Sequence, residues 1–204
     1  MFTEALFGST QNALAVLSRS GFVKEAYLAG GTAAALQLGH RISVDLDFFT
    51  PREFNSRETA EALRKLGIFS IEQISWGTIQ AHFKEVRFSL FTYKYPVLFP
   101  FKEYLGLKIL DLRDIATMKI AAISDRSTKR DFIDVYFICS QKKLSLTYIL
   151  KLYDKKYKKL KTNLLHIYKS LVYFTDAEKE EMPKMLKPVS WQRIKDFFEN
   201  EVKK

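Results

Sequence analysis

The stretch from Gly30 to Phe49 reads Gly-Gly-Thr-Ala-Ala-Ala-Leu-Gln-Leu-Gly-His-Arg-Ile-Ser-Val-Asp-Leu-Asp-Phe-Phe. Its first half is rich in alanine and leucine, which favours a short helix that Gly39 is suited to end. From Ser43 onward polar and apolar residues alternate, which is typical of a strand with one buried face. Pro51 then ends the strand. The stretch predicts a glycine turn, a helix and a strand in succession.

The predicted strand places two carboxylates on one face. Side chains at alternate strand positions lie on the same side, roughly 6.5–7 Å apart along the backbone, so Asp45 and Asp47 share a face with Ser43. Two carboxylates ~4 Å apart repel by on the order of 4 kcal/mol at an effective dielectric of 20. A divalent cation removes this repulsion, and Mg²⁺ prefers oxygen ligands that it shares with substrate phosphates. We therefore expect Asp45 and Asp47 to bind Mg²⁺ or Mn²⁺.

The glycines that precede the helix have a matching role. At a helix start, Gly30 and Gly31 let backbone N–H groups approach a phosphate closely, and the hydroxyl of Thr32 can donate to a phosphate oxygen. A lone Gly-Gly pair is usually a simple turn, and a lone Asp-x-Asp is usually a solvated strand edge. Together and in this order they indicate metal-assisted transfer at phosphorus.

Composition and pattern predict an α+β protein. The chain has 204 residues, and 47% of them are hydrophobic, which is enough for a substantial core. Helices and strands mix in residues 1–140, which we expect to form a catalytic domain, whereas residues 141–204 have helical patterns only and form a predicted C-terminal lobe. No leader pattern and no apolar run long enough for a membrane span occur, so we expect a cytoplasmic protein. Cys139 lies in an apolar run and is expected to be a buried structural thiol.

Basic residues concentrate in the predicted C-terminal lobe. Residues 1–140 hold 17 Lys or Arg against 15 Asp or Glu, whereas residues 141–204 hold 16 against 8. This asymmetry favours a polyanionic partner. We expect RNA contacts at Lys155, Lys156, Lys158 and Lys159, although a solvated helix face or an acidic protein partner would have the same pattern.

Three motifs in order resemble the AbiEii/AbiGii toxin family, which has a nucleotidyltransferase fold. They are the stretch quoted above, Met118-Lys119-Ile-Ala-Ala-Ile-Ser-Asp-Arg126, and Lys129-Arg130-Asp131-Phe-Ile-Asp134-Val. The resemblance spans roughly residues 25–140, and it leaves the lysine-rich C-terminus unmatched.

The resemblance implies a polymerase-beta-like mixed-sheet core with flanking helices. It also implies a magnesium-dependent enzyme that transfers NMP from an NTP and releases pyrophosphate. Such proteins act as the toxin of a toxin–antitoxin or phage-defence pair, which implies a cognate antitoxin, and some relatives modify the 3′ end of tRNA.

By the same resemblance, Gly30, Gly31 and Thr32 hold phosphate and Lys119 contacts the nucleotide phosphates. Asp131 or Asp134 completes the polar site, although at least one of them could pair structurally with Arg126 or Arg130. Ser43 is a candidate for binding substrate, and Arg41 either binds substrate or orients an aspartate.

One departure concerns the third carboxylate that many enzymes of this fold have on a later strand. The candidate strand, Val86–Tyr93, contains no acidic residue, and Ser89 or Arg87 takes the inward position. Two alternatives stay open: a small-molecule nucleotidyltransferase of the aminoglycoside type, and a non-catalytic module that binds RNA or an acidic antitoxin. The first needs an acidic pocket for a polycation, and the second is expected to lose an aspartate or a glycine of the motif.

Overall fold

The computed structural model describes residues 1–21, 23–66, 69–158 and 163–204. After a 3-10 turn at Thr3–Ala5, the helices are α1 (Gly8–Ser20), α2 (Gly30–Leu38), α3 (Ser56–Lys65), α4 (Leu112–Arg126), α5 (Lys129–Lys142), α6 (Leu146–Tyr157), α7 (Leu164–Ser170), α8 (Thr175–Glu178) and α9 (Trp191–Val202). The strands are β1 (Tyr27–Leu28), β2 (Leu46–Thr50), β3 (Phe69–Ser75), β4 (Thr78–Phe83), β5 (Val86–Thr92), β6 (Lys102–Tyr104) and β7 (Leu107–Ile109).

Within the described residues the strands form one seven-stranded mixed sheet in the order β3-β4-β5-β2-β1-β7-β6. The central pair, β2 and β5, is parallel, as is the pair of β1 and β7, and the remaining neighbours are antiparallel. This arrangement confirms the α+β prediction. It also places the residues that follow Ser43 in the middle of the sheet.

Local sequence signals set several element ends, among them the end of α2 that was predicted at Gly39. Gly21 and Gly39 adopt left-handed conformations at the ends of α1 and α2. Asn55 accepts hydrogen bonds from two backbone N–H groups at the start of α3, and Asp111 does the same for one at the start of α4. These side chains satisfy donors that have no partner within the helix. The sequence also predicts that Gly67 closes α3, but this residue lies outside the described ranges.

Both sides of residue 140 contribute to one hydrophobic core. Helices α6 and α9 pack against α4 and α5, and their buried side chains join those of the sheet. The division into domains at residue 140 stays a prediction.

Cys139 is 1% exposed, and burial raises the pKa of its thiol to about 12. This confirms the predicted buried thiol. No helix among the described residues has the length and apolar character needed to span a bilayer.

Three local predictions need correction. Strand β2 begins at Leu46, so Asp45 precedes it, and Ser43 pairs in an isolated bridge with Leu6. The sequence pattern also predicts a helix over residues 177–185, but the structure has only the short α8, and Pro183 prevents a helix from running through that segment. The segment after Pro183 is extended instead, and it pairs with residues 40–42 through backbone hydrogen bonds. Strands β6 and β7 were not predicted, since each has only three residues.

Candidate active site

The glycine turn is packed directly against β2. Gly30 has a φ of +64°, and a Cβ there would lie 2.8 Å from Asp47 Oδ2. A Cβ at Gly31 would overlap the guanidinium of Arg41. The N–H of Ala29 donates to the carbonyl oxygen of Asp47 at 3.0 Å, which ties the turn to the strand. The turn therefore brings the N-terminus of α2 beside the carboxylate of Asp47 at a separation that only glycine permits.

Asp45 and Asp47 line a cavity of about 510 Å³ on the face of the sheet that carries the glycine turn. Burial raises the pKa of the Asp47 carboxyl, and the charge of Asp45 raises it further, while Lys119 partly offsets both effects. The structure thus brings the two predicted metal ligands together. Within the described ranges no cluster of three or more His, Cys, Asp or Glu side chains forms a metal site.

Asp134 is the centre of a buried ionic network behind this cavity. Its Oδ1 lies 2.7 Å from Arg41 Nε and 2.8 Å from His40 Nε2, and its Oδ2 lies 2.8 Å from Lys119 Nζ. Burial alone would raise the pKa of Asp134, but the charges of Arg41 and Lys119 outweigh it and hold that pKa well below its ordinary value. Burial lowers the pKa of His40. Asp134 is 0% exposed and does not line the cavity. Its predicted catalytic role is therefore corrected to one of positioning Arg41 and Lys119.

Lys119 and Asp131 form a second part of the network that does reach the cavity. Lys119 Nζ lies 2.7 Å from Asp131 Oδ1, and the other oxygen of Asp131 accepts from Arg126 Nε at 3.0 Å and from Thr128 Oγ1 at 2.7 Å. Burial lowers the pKa of Lys119, but the charges of Asp131 and Asp134 outweigh it, so that its pKa is raised. Lys119 is thus a buried cation held between two carboxylates at the cavity wall. The sequence-based alternative in which Asp131 pairs with Arg126 is also observed.

Thr32 and Ser43 join the helix to the carboxylate segment. The hydroxyl of Thr32 donates to the carbonyl oxygen of Asp45 and lies 2.9 Å from Ser43 Oγ. Thr32 is 1% exposed and does not line the cavity, whereas Ser43 and Arg41 do. The predicted hydroxyl contact of Thr32 with phosphate is therefore corrected: this hydroxyl positions Asp45, and only its backbone N–H remains for an anion.

Several cavity residues were not singled out from the sequence as site residues. Three exposed arginines surround the carboxylates, namely Arg87, Arg126 and Arg130. Gln80, Phe49 and Phe91 complete the cavity wall. In β5 the residues Arg87, Ser89 and Phe91 alternate toward the cavity, and Ser89 is the register partner of Asp47. Both residues that the sequence offered for the inward position, Ser89 and Arg87, line the cavity, and neither is a carboxylate. Alternation along β5 was the signal that could have identified Phe91.

The lysines predicted to bind RNA do not share one surface. Lys155 and Lys158 are exposed near the end of α6. Lys156 is 2% exposed, and its Nζ lies 2.7 Å from Asp114 Oδ1 and 2.7 Å from the carbonyl oxygen of Pro96. The prediction for Lys156 is therefore wrong, because helical periodicity turns it toward the core. Lys159 lies outside the described residues.

The mixed sheet with its flanking helices has the fold of nucleotidyltransferases, since it resembles a putative nucleotidyltransferase from H. pylori with a TM-score of 0.59 and 16% identity, over 97% of this chain and 94% of the other. The structure resembles that of JHP933 from Helicobacter pylori, with a TM-score of 0.57, 16% identity and coverage of 97% of this chain and 92% of the other. It also resembles the antibiotic-resistance factor ANT(2'')-Ia, with a TM-score of 0.57, 12% identity and coverage of 81% and 97%. At these identities the similarity shows the fold alone.

Sequence comparison narrows the class to a family. The profile described as nucleotidyl transferase AbiEii toxin, type IV toxin–antitoxin system, matches residues 12–109 and 88–204. An uncharacterized protein of Aquifex aeolicus (strain VF5) is 38% identical over 187 residues, which cover 90% of this chain and 89% of that protein. The chain belongs to the AbiEii nucleotidyl transferase toxin family. This confirms the resemblance that the motifs indicated.

Proposed function

We propose that this protein is a metal-dependent nucleotidyltransferase that transfers NMP from an NTP to the 3′ end of an RNA, tRNA being the expected acceptor. We further propose that it acts as the toxin of a toxin–antitoxin pair. The proposal depends on one observation: the glycine turn at Gly30 packs against Asp47 in a cavity that Asp45 and Asp47 share with four arginines.

The donor set of the cavity fits a magnesium ion. Asp45 and Asp47 supply carboxylate oxygens to the cavity. Burial, and after it the charge of Asp45, raises the pKa of Asp47, so a bound cation would stabilise the ionised carboxylate. Asp45 and Asp47 would hold either Mg²⁺ or Mn²⁺. When bound, the metal supplies charge neutralisation of the triphosphate and polarisation of the reacting phosphorus.

The chain's own groups would hold the rest of the triphosphate. The first N–H groups of α2 have no partner within the helix and carry partial positive charge toward the cavity. Arg126 and Arg130 lie at the cavity wall with exposed side chains, and Lys119 is fixed beside them by Asp131. In the transfer, an acceptor hydroxyl forms an ester bond to the α-phosphorus, its proton passes to solvent, and pyrophosphate leaves with the bond electrons.

The surroundings of the cavity favour a polyanionic acceptor over a polycationic drug. The cavity wall holds five cationic side chains against four aspartates, and the exposed Arg87, Arg126 and Arg130 would repel the ammonium groups of an aminoglycoside. An RNA end instead benefits from those charges and from the exposed Lys155 and Lys158. A non-catalytic module is disfavoured because both aspartates and both glycines are present in one constellation. The toxin role is supported by family membership.

Labelled transfer tests the catalytic proposal. Wild-type protein incubated with each α-labelled NTP, Mg²⁺ and total tRNA should label RNA, and EDTA should abolish the signal. Asp45→Asn and Asp47→Asn should each lower the rate at least about a hundredfold, since metal catalysis contributes several kcal/mol. The exposed Asp154 offers the matched control Asp154→Asn, which should retain the wild-type rate. Near-wild-type transfer by either active-site variant would contradict the metal assignment.

Expression in bacteria tests the toxin role separately. The wild-type chain produced alone should arrest growth, whereas equal amounts of Asp47→Asn should not, because the arrest would depend on transfer. Equal growth arrest by both forms would show that toxicity does not come from this chemistry.

A further inference from the structure

Two phenylalanines form an apolar wall in a cavity that is otherwise rich in charge. Phe49 in β2 and Phe91 in β5 are register partners on parallel strands, with ring centroids 5.3 Å apart and an interplanar angle of 34°. Both rings line the cavity and are only half-buried, whereas Phe48 and Phe88 on the opposite face are 0% exposed. Phe49 and Phe91 therefore offer aromatic surface to whatever occupies the cavity.

The order of groups along the cavity floor follows the chain from Arg41 into β2, and of these groups only Asp47 and Phe49 belong to the strand. Arg41 and Ser43, against which Gly31 packs, lie at one end, Asp45 and Asp47 follow, and Phe49 lies at the other end. Residues two apart in a strand are separated by roughly 7 Å. Gly31 and the phenylalanine pair thus lie on opposite sides of Asp47, which Gly30 contacts.

In an in-line displacement, the two ends of the cavity floor would hold different parts of the reacting complex. The attacking oxygen and the leaving oxygen lie on opposite sides of the reacting phosphorus. If pyrophosphate leaves toward Gly31 and Arg41 and the α-phosphorus lies at Asp47, the acceptor enters from the phenylalanine end. We propose that Phe49 and Phe91 are the platform on which the 3′-terminal base of a single-stranded RNA acceptor stacks. This inference rests on the proposed function, because it takes the direction of the triphosphate from it.

Packing supports the platform and connects it to the basic end of α6. Tyr93 packs edge-on against Phe49 with centroids 5.3 Å apart, and its hydroxyl is hydrogen-bonded to that of Tyr157. Tyr95 lies between them, with its ring 5.0 Å from Tyr93 and 4.8 Å from Tyr157. Tyr157 immediately precedes the exposed Lys158. An RNA strand that leaves the platform along this row would reach a cation suited to its phosphates.

Binding measurements without turnover test the platform. The probe is a 5′-fluorescein-labelled, single-stranded hexaribonucleotide, followed by fluorescence anisotropy, with NTP affinity measured separately by calorimetry. Phe49→Leu and Phe91→Leu keep an apolar side chain but remove the aromatic face. Phe91→Tyr changes the same position and keeps an aromatic ring. Phe101→Leu is the control, because Phe101 packs on Tyr27 in the same aromatic cluster but does not line the cavity.

The leucine variants should weaken hexanucleotide binding by roughly 5- to 150-fold, the range for loss of one base–aromatic stack. NTP affinity should stay unchanged, Phe91→Tyr should bind like wild type, and so should Phe101→Leu. Unchanged RNA affinity in both leucine variants would overturn the platform, as would loss of NTP affinity alone, which would assign the pair to the nucleotide base. Failure of the wild type to bind the hexanucleotide would overturn it too.

The platform and the proposed function fail in different ways. Wild-type protein that binds the hexanucleotide through Phe49 and Phe91 but transfers no nucleotide would contradict the proposed function and leave the platform in place. If both leucine variants transfer nucleotide to tRNA and bind the hexanucleotide as wild type does, the platform is contradicted and the proposed function stays in place.

Discussion

Lys119 shows how the structure gives a single residue two roles. Its ammonium is 2.7 Å from Asp131 Oδ1 and 2.8 Å from Asp134 Oδ2, and the residue is 7% exposed. A buried carboxylate that loses its partner is costly, because the charge has neither water nor a counter-ion. Lys119 therefore contributes to stability through the aspartates, in addition to the phosphate contact that we propose.

Substitution of Lys119 should affect both the stability of the protein and the binding of NTP. Lys119→Met should lower the free energy of unfolding by about 3 kcal/mol, since Asp131 and Asp134 lose a shared cation and Arg41 and Arg126 compensate only in part. It should also weaken NTP binding by roughly 1.5–3 kcal/mol, the range for a charged hydrogen bond. Urea denaturation and calorimetry measure the two effects.

Arg130→Met is the matched control for Lys119→Met. Arg130 lines the same cavity but is exposed, so its loss should change unfolding by no more than about 0.5 kcal/mol while NTP affinity falls. If Lys119→Met unfolds at the wild-type urea midpoint, the buried network does not stabilise the protein as described.

At the scale of elements, the start of α2 is the feature that makes the site. The first turn has to approach β2 so closely that Ala29 bonds to the backbone of Asp47 and Gly30 touches its side chain. The extended segment after Pro183 supports the same region from behind, because Ile42 donates to Lys184 and Leu186 donates to His40. The position of Arg41 thus depends on a helix, a strand and a distant extended segment at once.

Comparison of Gly30→Ala with Gly21→Ala should separate two effects of an added Cβ: the clash of residue 30 with Asp47, and the backbone strain of a positive φ. Both glycines have positive φ, +64° at Gly30 and +67° at Gly21, but a Cβ at Gly21 meets no atom within 4 Å. Each variant should lose roughly 1–2 kcal/mol of stability from the left-handed conformation. Only Gly30→Ala should displace the Asp47 carboxylate, and we expect its transfer rate to fall at least about tenfold. Equal rates in the two variants would show that the contact with Asp47 is not needed.

At the scale of the whole molecule, charge is distributed unevenly along the chain. The net charge is +10, and most of it comes from residues 141–204. Some of these lysines are committed to the fold, as Lys156 is to Asp114. The surface available to RNA is therefore smaller than the count of lysines indicates.

Salt dependence should show which lysines contact RNA. The logarithm of the affinity for single-stranded RNA falls by about 0.7 per phosphate contact per logarithmic unit of salt. The double variant Lys155→Gln/Lys158→Gln should therefore reduce the slope by about 1.4 and weaken binding at low salt, with NTP affinity unchanged. The control Lys24→Gln/Lys65→Gln removes the same charge from exposed lysines elsewhere and should keep the wild-type slope. Equal slopes in the two double variants would favour an acidic protein partner for Lys155 and Lys158.

Much of the site could be predicted because its signals are local. Alternation placed Asp45 and Asp47 on one face, and the glycine pair followed by alanines marked the start of α2. Caps such as Asn55 act within one turn of the chain, so their sequence pattern is sufficient. These features need no knowledge of distant contacts.

Amino-acid sequence by itself determined the glycine turn, the carboxylate pair, the α+β class and the family, since each follows from neighbours within about a dozen positions or from motif order. Tertiary structure alone decided that Asp134 is a buried anchor, that Lys156 is paired with Asp114, and that Phe49 faces Phe91 in the cavity. Arg41 lies 93 positions from Asp134, and Asp114 lies 42 positions from Lys156. Local pattern holds no information about such pairs, because the free energy that selects them comes from burial and charge compensation in the folded chain.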